Sequence, residues 1–80
     1  MGVKDAVVSR FESICRERRM TINELASRSG VTPSSVYSMV DPSRRNISIV
    51  LIKKLCDGLD MPLDQFFGGP EFDSLEQEIK

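Results

Sequence analysis

A chain of 80 residues with 40% apolar composition can form one small domain, in which nearly every helix must contribute to the core. Two cysteines and no histidine cannot supply the four ligands of a structural zinc site, so we expect no metal and expect Cys15 and Cys56 to be reduced and packed in the core. No signal peptide or membrane-spanning segment is evident, which predicts a cytoplasmic protein with no membrane partner.

The net charge of −1 is unevenly distributed along the chain. Residues 1–67 carry ten basic and eight acidic side chains, whereas residues 68–80 carry one basic and four acidic ones. The acidic excess therefore belongs to the C-terminal segment, and the body keeps the slight basic excess that a nucleic-acid interface requires.

The first predicted helix covers residues 4–19, where apolar side chains recur at helical spacing. Near its end lie Arg16, Arg18 and Arg19, for which two interpretations stay open: they complement the helix C-terminus, or they form a flanking basic surface. The apolar positions are Val7, Phe11, Ile14 and Cys15.

A pair of short helices joined by a tight turn is predicted next, over 22–29 and 33–40. Thr21 and Glu24 have the spacing of a capping box at the start of the first, and Gly30 stands where the backbone must turn. Thr32 as N-cap and Pro33 as first helical residue start the second. Leu25, Ala26, Val31, Val36 and Met39 are expected to face inward.

A loop with two arginines and two further helices complete the predicted domain. Asp41 and Pro42 end the third helix, and Ser48 is the expected N-cap of the fourth. Asp60 follows the weak end of the fourth helix, where we expect aspartate to tolerate the left-handed backbone conformation. A short fifth helix covers 62–67. The expected inward side chains of these helices are Ile49, Ile52, Leu55, Cys56, Leu59, Leu63, Phe66 and Phe67.

The Gly68-Gly69-Pro70 sequence marks the predicted boundary between a domain at 1–67 and an acidic tail at 68–80. In that tail, Leu75 and Ile79 are four residues apart and predict a short turn of helix after a cap at Asp73 or Ser74. So short a helix is unstable alone, which leaves a disordered or a docked tail as the alternatives.

The helix pair, the loop DPSRRNIS and the block IKKLCDGLDMPLDQFF together resemble the Cro/C1-type (phage repressor-like, XRE) helix-turn-helix family over residues 7–67. The resemblance implies an all-α, five-helix DNA-binding domain whose second and third helices form the helix-turn-helix. The sequence departs from the family at Ile22, where a glutamine is common, and at Pro42, where a glycine is usual.

The resemblance also implies which residues contact DNA. In the family, the N-terminal part of the third helix faces base edges and the following loop meets phosphates. Serine hydroxyls discriminate bases weakly, so base readout is expected to be modest. The corresponding residues on the helix are Pro33, Ser34, Tyr37 and Ser38 at base edges, with Thr32 and Ser35 nearer the DNA backbone, and those in the loop are Arg44 and Arg45.

The predicted function is a transcriptional regulator, most simply a repressor, that binds double-stranded DNA as a homodimer on a pseudo-palindromic operator. The alternative is a protein-interaction module of antitoxin or anti-repressor type with weak or no DNA binding, which the acidic tail favours. No histidine, phosphate-binding loop or activated nucleophile suggests an enzyme, and no cofactor or small-molecule ligand is predicted.

Overall fold

Residues 2–79 are described by a computed structural model, and they contain helices but no strand. The predicted all-α fold with five α-helices is confirmed, and a 3-10 helix follows them. None of the helices within these residues is long and apolar enough to cross a membrane. The helices are α1 Val3–Glu17, α2 Ile22–Ser29, α3 Pro33–Val40, α4 Ile49–Gly58 and α5 Leu63–Phe67, with the 3-10 helix at Pro70–Phe72.

All five α-helices contribute to one hydrophobic core. α2 lies at its centre, packed against both α3 and α4, and Ala26 is fully buried there, as its small side chain allows. Cys15 and Cys56 are free thiols in this core, and burial raises the pKa of each, so both are protonated at neutral pH. The other buried members are Val7, Phe11, Ile14, Met20, Leu25, Val36, Met39, Ile52, Leu55, Leu59, Met61 and Phe66.

Aromatic rings close the core at the C-terminal end of α5. The Phe66 ring is fully buried, with its centroid 4.4 Å from that of Phe11 and 5.8 Å from that of Phe72. Phe67 was predicted to face inward with Phe66, but it lies at the rim of the cluster, 36% exposed, with its ring edge-on to Phe66. Adjacent positions on a helix point about 100° apart, and in this short helix the core covers the direction of Phe66 more completely than that of Phe67.

Two basic side chains of α1 and that of its C-cap residue Arg18 donate hydrogen bonds to the C-terminal ends of three other helices. Carbonyls at a helix C-terminus have no partner within the helix, and a cation there also complements the helix dipole. Neither interpretation of Arg18 named this partner: Arg18 complements the C-terminal end of α4 rather than that of α1. The bonds are Lys4 Nζ to Asp41 O at 2.7 Å for α3, Arg18 Nη1 to Leu59 O at 2.6 Å for α4, and Arg10 Nε to Phe66 O at 2.9 Å and Nη2 to Gln65 O at 3.1 Å for α5.

Two of the helices end at a non-glycine residue in the left-handed conformation. α1 stops two residues before the predicted end because Arg19 takes φ 53°, which lets the Met20 N–H bond to Cys15 O at 2.9 Å. The expected tolerance of Asp60 for this conformation is confirmed, since its φ is 52° after α4.

The prediction that Ile49 faces inward is wrong, because its side chain is 60% exposed. The predicted N-cap next to it is confirmed: Ser48 Oγ accepts from the Val50 and Leu51 N–H groups. Ile49 therefore lies in the first turn of α4, ahead of the buried Ile52. Periodicity identifies the apolar face of a helix, but it does not tell how far along that face the neighbouring helices extend.

The chain continues to pack beyond the predicted boundary at residue 67. The 3-10 helix lies against α1, and Phe72 joins the aromatic cluster with its ring 5.1 Å from Phe67. The turn of helix predicted around Leu75 and Ile79 is not present in residues 73–79, which form turns and irregular backbone; Lys80 lies outside the described residues. The half-buried Phe72 anchors the start of the tail on the core. A helix farther along the tail would have little apolar surface to bury and is therefore not stabilised.

Substitutions at Gly69 and Arg10 are expected to have coupled, non-additive effects on the free energy of unfolding. A Cβ on Gly69 would lie 2.6 Å from Arg10 Nε, so Gly69→Ala should push the guanidinium off the carbonyls at the end of α5. Gly69→Ala and Arg10→Ala should each lower the free energy of unfolding by about 1–2 kcal/mol. The double variant should be no less stable than Arg10→Ala, because the clash disappears with the side chain. Urea unfolding of the four proteins measures this, and additive losses would contradict the coupling.

Candidate nucleic-acid interface

Local capping fixes the angle between α2 and α3. The predicted capping box is present: the Glu24 N–H donates to Thr21 Oγ1 at 3.1 Å and the Thr21 N–H donates to Glu24 Oε1 at 3.2 Å. Gly30 ends α2 in the left-handed conformation, φ 69°, which its lack of a Cβ makes easy. The Val31 N–H then bonds back to Ala26 O at 3.1 Å, and this closed turn directs the chain into α3.

The N-terminus of α3 carries a small network of hydroxyl groups. Thr32 Oγ1 lies 3.0 Å from Ser35 Oγ and 3.2 Å from Ser34 Oγ, and it accepts from the Ser35 N–H as the predicted N-cap. All three residues are exposed. Their hydroxyls are therefore held in place by one another while they remain accessible to a ligand.

α3 has one buried face and one face open to solvent. Val36 and Met39 are buried against α2 and the core, as predicted. Pro33 and Tyr37 are exposed, and the 53% exposure of Tyr37 makes it the large side chain of the open face, whereas Ser38 is half-buried. The six helix residues predicted to contact DNA thus lie on or beside the open face.

A shallow groove runs between α3 and the loop that follows it. Ser35 and Ser38 line its helical side, and Arg44, Asn46 and Ser48 line its loop side. Guanidinium, amide and hydroxyl groups are the donors that most often contact phosphates and sugars in DNA complexes. The groove therefore joins the predicted reading helix to one of the two predicted arginines.

Arg45 points to a different place. Its Nη2 lies 3.6 Å from Asp5 Oδ2 in the first turn of α1, and its Nη1 donates to Pro42 O at 3.4 Å. Arg44, by contrast, has only a marginal ion pair with Asp41, at 4.0 Å, and remains exposed. Arg44 and Arg45 were predicted to act together, but their side chains lie apart, Arg44 in the groove beside α3 and Arg45 against Asp5.

Asn46 and Ser48 were not predicted as interface residues. Asn46 was noted only as part of the loop, and Ser48 only as the N-cap of α4. The sequence nevertheless contained a usable signal. The N-cap Ser48 lies two residues after Asn46, just beyond the arginines, so the N-terminus of α4 and its backbone N–H groups come close to them.

Several of the cationic residues elsewhere are engaged within the protein. Lys53 pairs with Asp57 one turn along α4, while Arg10 and Arg18 bond to helix ends. Residues 2–79 contain no group of three or more histidine, cysteine, aspartate or glutamate side chains that could hold a metal ion. Hydroxyl, amide and guanidinium groups lie together along α3 and the loop after it, where they line the groove.

These features define an all-α helix-turn-helix domain with an exposed second helix. Residues 10–69 match the family model of the Cro/C1-type HTH DNA-binding domain, which covers most of the chain, and the chain belongs to this family. The resemblance seen in the sequence is thereby confirmed, and a DNA-binding regulator is the general class that follows. Comparisons with curated proteins and with solved structures gave no match.

The turn at the start of the loop depends on an ionised carboxylate. Asp41 Oδ1 accepts from the Ser43 N–H at 2.9 Å and from its hydroxyl at 2.8 Å. These bonds, with smaller contributions from Arg44 and Lys4, lower the pKa of Asp41 below its usual value.

Because the pKa of Asp41 is lower in the folded than in the unfolded chain, its carboxylate stabilises the fold above the unfolded pKa of about 3.9. That stabilisation is lost as the pH falls through the folded pKa. The stability difference between wild type and Asp41→Asn should therefore be constant above about pH 5 and shrink at lower pH. Thermal unfolding across this range measures it, with Glu12→Gln as a matched change of charge. A difference that does not vary with pH would argue against a role for the carboxylate charge.

Proposed function

We propose that this protein is a sequence-specific transcriptional regulator, acting as a repressor, that inserts α3 into the DNA major groove. The observation that carries the proposal is the position of α3, which has Thr32 as its N-cap and one face open to solvent, beside a groove lined by Arg44. The major groove of B-DNA is wide enough to admit an α-helix. A guanidinium beside that helix can bind a phosphate and so fix the angle at which the helix docks.

Base contacts are assigned to the open face of α3. Ser34 and Ser38 can each donate or accept a hydrogen bond, and Pro33 is at the N-terminus of the helix; Thr32 and Ser35 are assigned to the DNA backbone. Such hydroxyls distinguish base pairs less sharply than bidentate side chains do. The exposed Tyr37 ring is the side chain best able to contact a thymine methyl group, and sequence-dependent DNA shape would supply further discrimination.

Phosphate contacts are assigned to the loop after α3. Arg44 is exposed in the groove, and Asn46 and the N-terminus of α4 lie beside it. Arg45 can reach a phosphate once it leaves Asp5, and exposed ion pairs of this kind are weak enough to exchange. These contacts would provide most of the affinity and its dependence on salt.

Binding as a homodimer is part of the proposal. A single copy of this domain offers one short reading helix with weak base specificity, so two half-sites are needed for a selective operator. The half-sites of helix-turn-helix dimers are about 34 Å apart. The Cα extents of the chain, 37 × 24 × 20 Å, are compatible with two copies side by side at that spacing.

Selection from random DNA duplexes at moderate salt should enrich a pseudo-palindrome with half-site centres about one helical turn apart. Recovery of single half-sites would retain DNA reading but reject the dimer. No enriched sequence would favour the alternative role as a protein-interaction module, for which the exposed Leu75 and Ile79 in the acidic C-terminal segment are the supporting observation.

Arg44→Ala and Tyr37→Ala should separate phosphate holding from base reading. Arg44→Ala should weaken binding to all duplexes alike and reduce the slope of log K against log salt by about one, because a phosphate contact is lost. Tyr37→Ala should leave that slope unchanged and reduce discrimination between operator and random DNA by about 5- to 100-fold per site. Fluorescence anisotropy titrations at several salt concentrations measure both. Lys54→Ala, an exposed cation on α4, is the matched control for Arg44, and an equal effect of the two would refute the assignment.

A further inference from the structure

The first turn of α1 contacts the loop after α3 at two points. Lys4 is buried, 4% exposed, and its Nζ donates to Asp41 O at 2.7 Å, where α3 ends and the loop begins. Its neighbour Asp5 lies 3.6 Å from Arg45 in the same loop. Two adjacent residues of α1 thus hold both sides of a segment only five residues long.

The bond from Lys4 belongs to a chain of interactions that shapes the loop. The Asp41 residue that receives it also accepts from Ser43 through its side chain, and its main-chain carbonyl also accepts from the Arg44 N–H at 3.1 Å. An ammonium bonded to a carbonyl away from water is a strong contact, and leaving either group unpaired there is costly. The position of Lys4 therefore fixes the backbone between the end of α3 and Arg44, and with it the place from which the Arg44 side chain extends.

The ion pair of Asp5 has the opposite effect on the second arginine. It keeps the Arg45 guanidinium on α1, while the groove beside α3 is lined by Arg44. Both side chains of the pair are about half exposed or more, so solvent screens the attraction and a phosphate can compete for the guanidinium.

We infer that the first turn of α1 is a clamp that sets the DNA affinity of the loop: Lys4 is a positioning residue for Arg44, and Asp5 restrains Arg45 from phosphate. The inference rests on the proposed function, since it assumes that the loop meets DNA. It predicts that removing two neighbouring charges of α1 changes DNA affinity in opposite directions.

The restraint by Asp5 is tested with a double-mutant cycle on a random-sequence duplex. Asp5→Asn should tighten binding by about 3- to 10-fold and increase the salt slope by about one, because Arg45 gains a phosphate contact. In an Arg45→Ala background, Asp5→Asn should have no more effect than the matched control Glu12→Gln, which removes the same charge from the same helix. Equal effects of Asp5→Asn in both backgrounds would overturn the restraint.

The positioning role of Lys4 is tested with a pair of variants. Lys4→Met keeps the volume of the aliphatic chain but has no donor, and it should weaken binding by about 5- to 10-fold and reduce the salt slope. Lys4→Arg keeps a donor and should restore most of both. Partial unfolding would reduce the fraction of active protein without changing the slope, so an unchanged slope in Lys4→Met would overturn the role.

A readout without DNA separates this inference from the proposed function. In NMR spectra of the free protein, Lys4→Met should speed hydrogen exchange of the Ser43 and Arg44 amides and leave the amides of α2 protected. Asp5→Asn should shift the Arg45 Nε–H signal. If the wild type binds no duplex at low salt, the proposed function fails, and the contacts between α1 and the loop are then tested by these spectra alone. Unchanged loop signals in both variants would reject those contacts.

Discussion

The fold depends on the way in which α1 closes the C-terminal ends of the other helices. Short helices leave a large fraction of their carbonyls without partners, and a domain of this size has few residues with which to satisfy them. Here one long helix and its C-cap residue supply Lys4, Arg10 and Arg18 to the ends of α3, α5 and α4, respectively. The same helix contributes Phe11 and Ile14 to the core, so polar and apolar contacts from one element fix the relative positions of the rest.

This use of cations bears on the low net charge of the chain. A DNA-binding surface does not require a basic protein; it requires cations at the right place, since the field near a phosphate is dominated by nearby charges at physiological salt. Several basic residues of the body are bonded to helix ends or to aspartates, as with Lys53 and Asp57. Arg44 lies instead on the open groove beside α3, where a phosphate contact has the most effect on docking.

Local signals explain why much of the fold could be predicted from the sequence. Caps such as Thr21, Thr32 and Ser48, and the turn at Gly30, act over three or four residues, so their chemistry can be read without knowing the tertiary structure. The bounds of α2 and α3 follow from them. The predicted core was also largely confirmed, because periodicity identifies the buried face of each helix.

Contacts between distant residues account for what could not be predicted. Lys4 bonds to a residue 37 positions away and Arg10 to one 56 positions away, and no spacing rule links such pairs. The exposure of Ile49 and the rim position of Phe67 depend likewise on where neighbouring elements end. The candidate interface shows the same division: the open face of α3 follows from periodicity, whereas the separation of Arg44 from Arg45 follows from Asp5.

Placing the control of the loop on α1 has a consequence for how such a domain can change. Residues on the open face of α3 are the proposed base contacts, whereas Val36 and Met39 on its other face pack in the core and can vary little without loss of stability. The first turn of α1 lies outside the helix pair, and its contacts with the loop include the bond from Lys4 to Asp41 O and the ion pair of Asp5 with Arg45. Changes there can adjust affinity for the DNA backbone while the reading helix and the core stay as they are, which separates the strength of binding from its sequence preference.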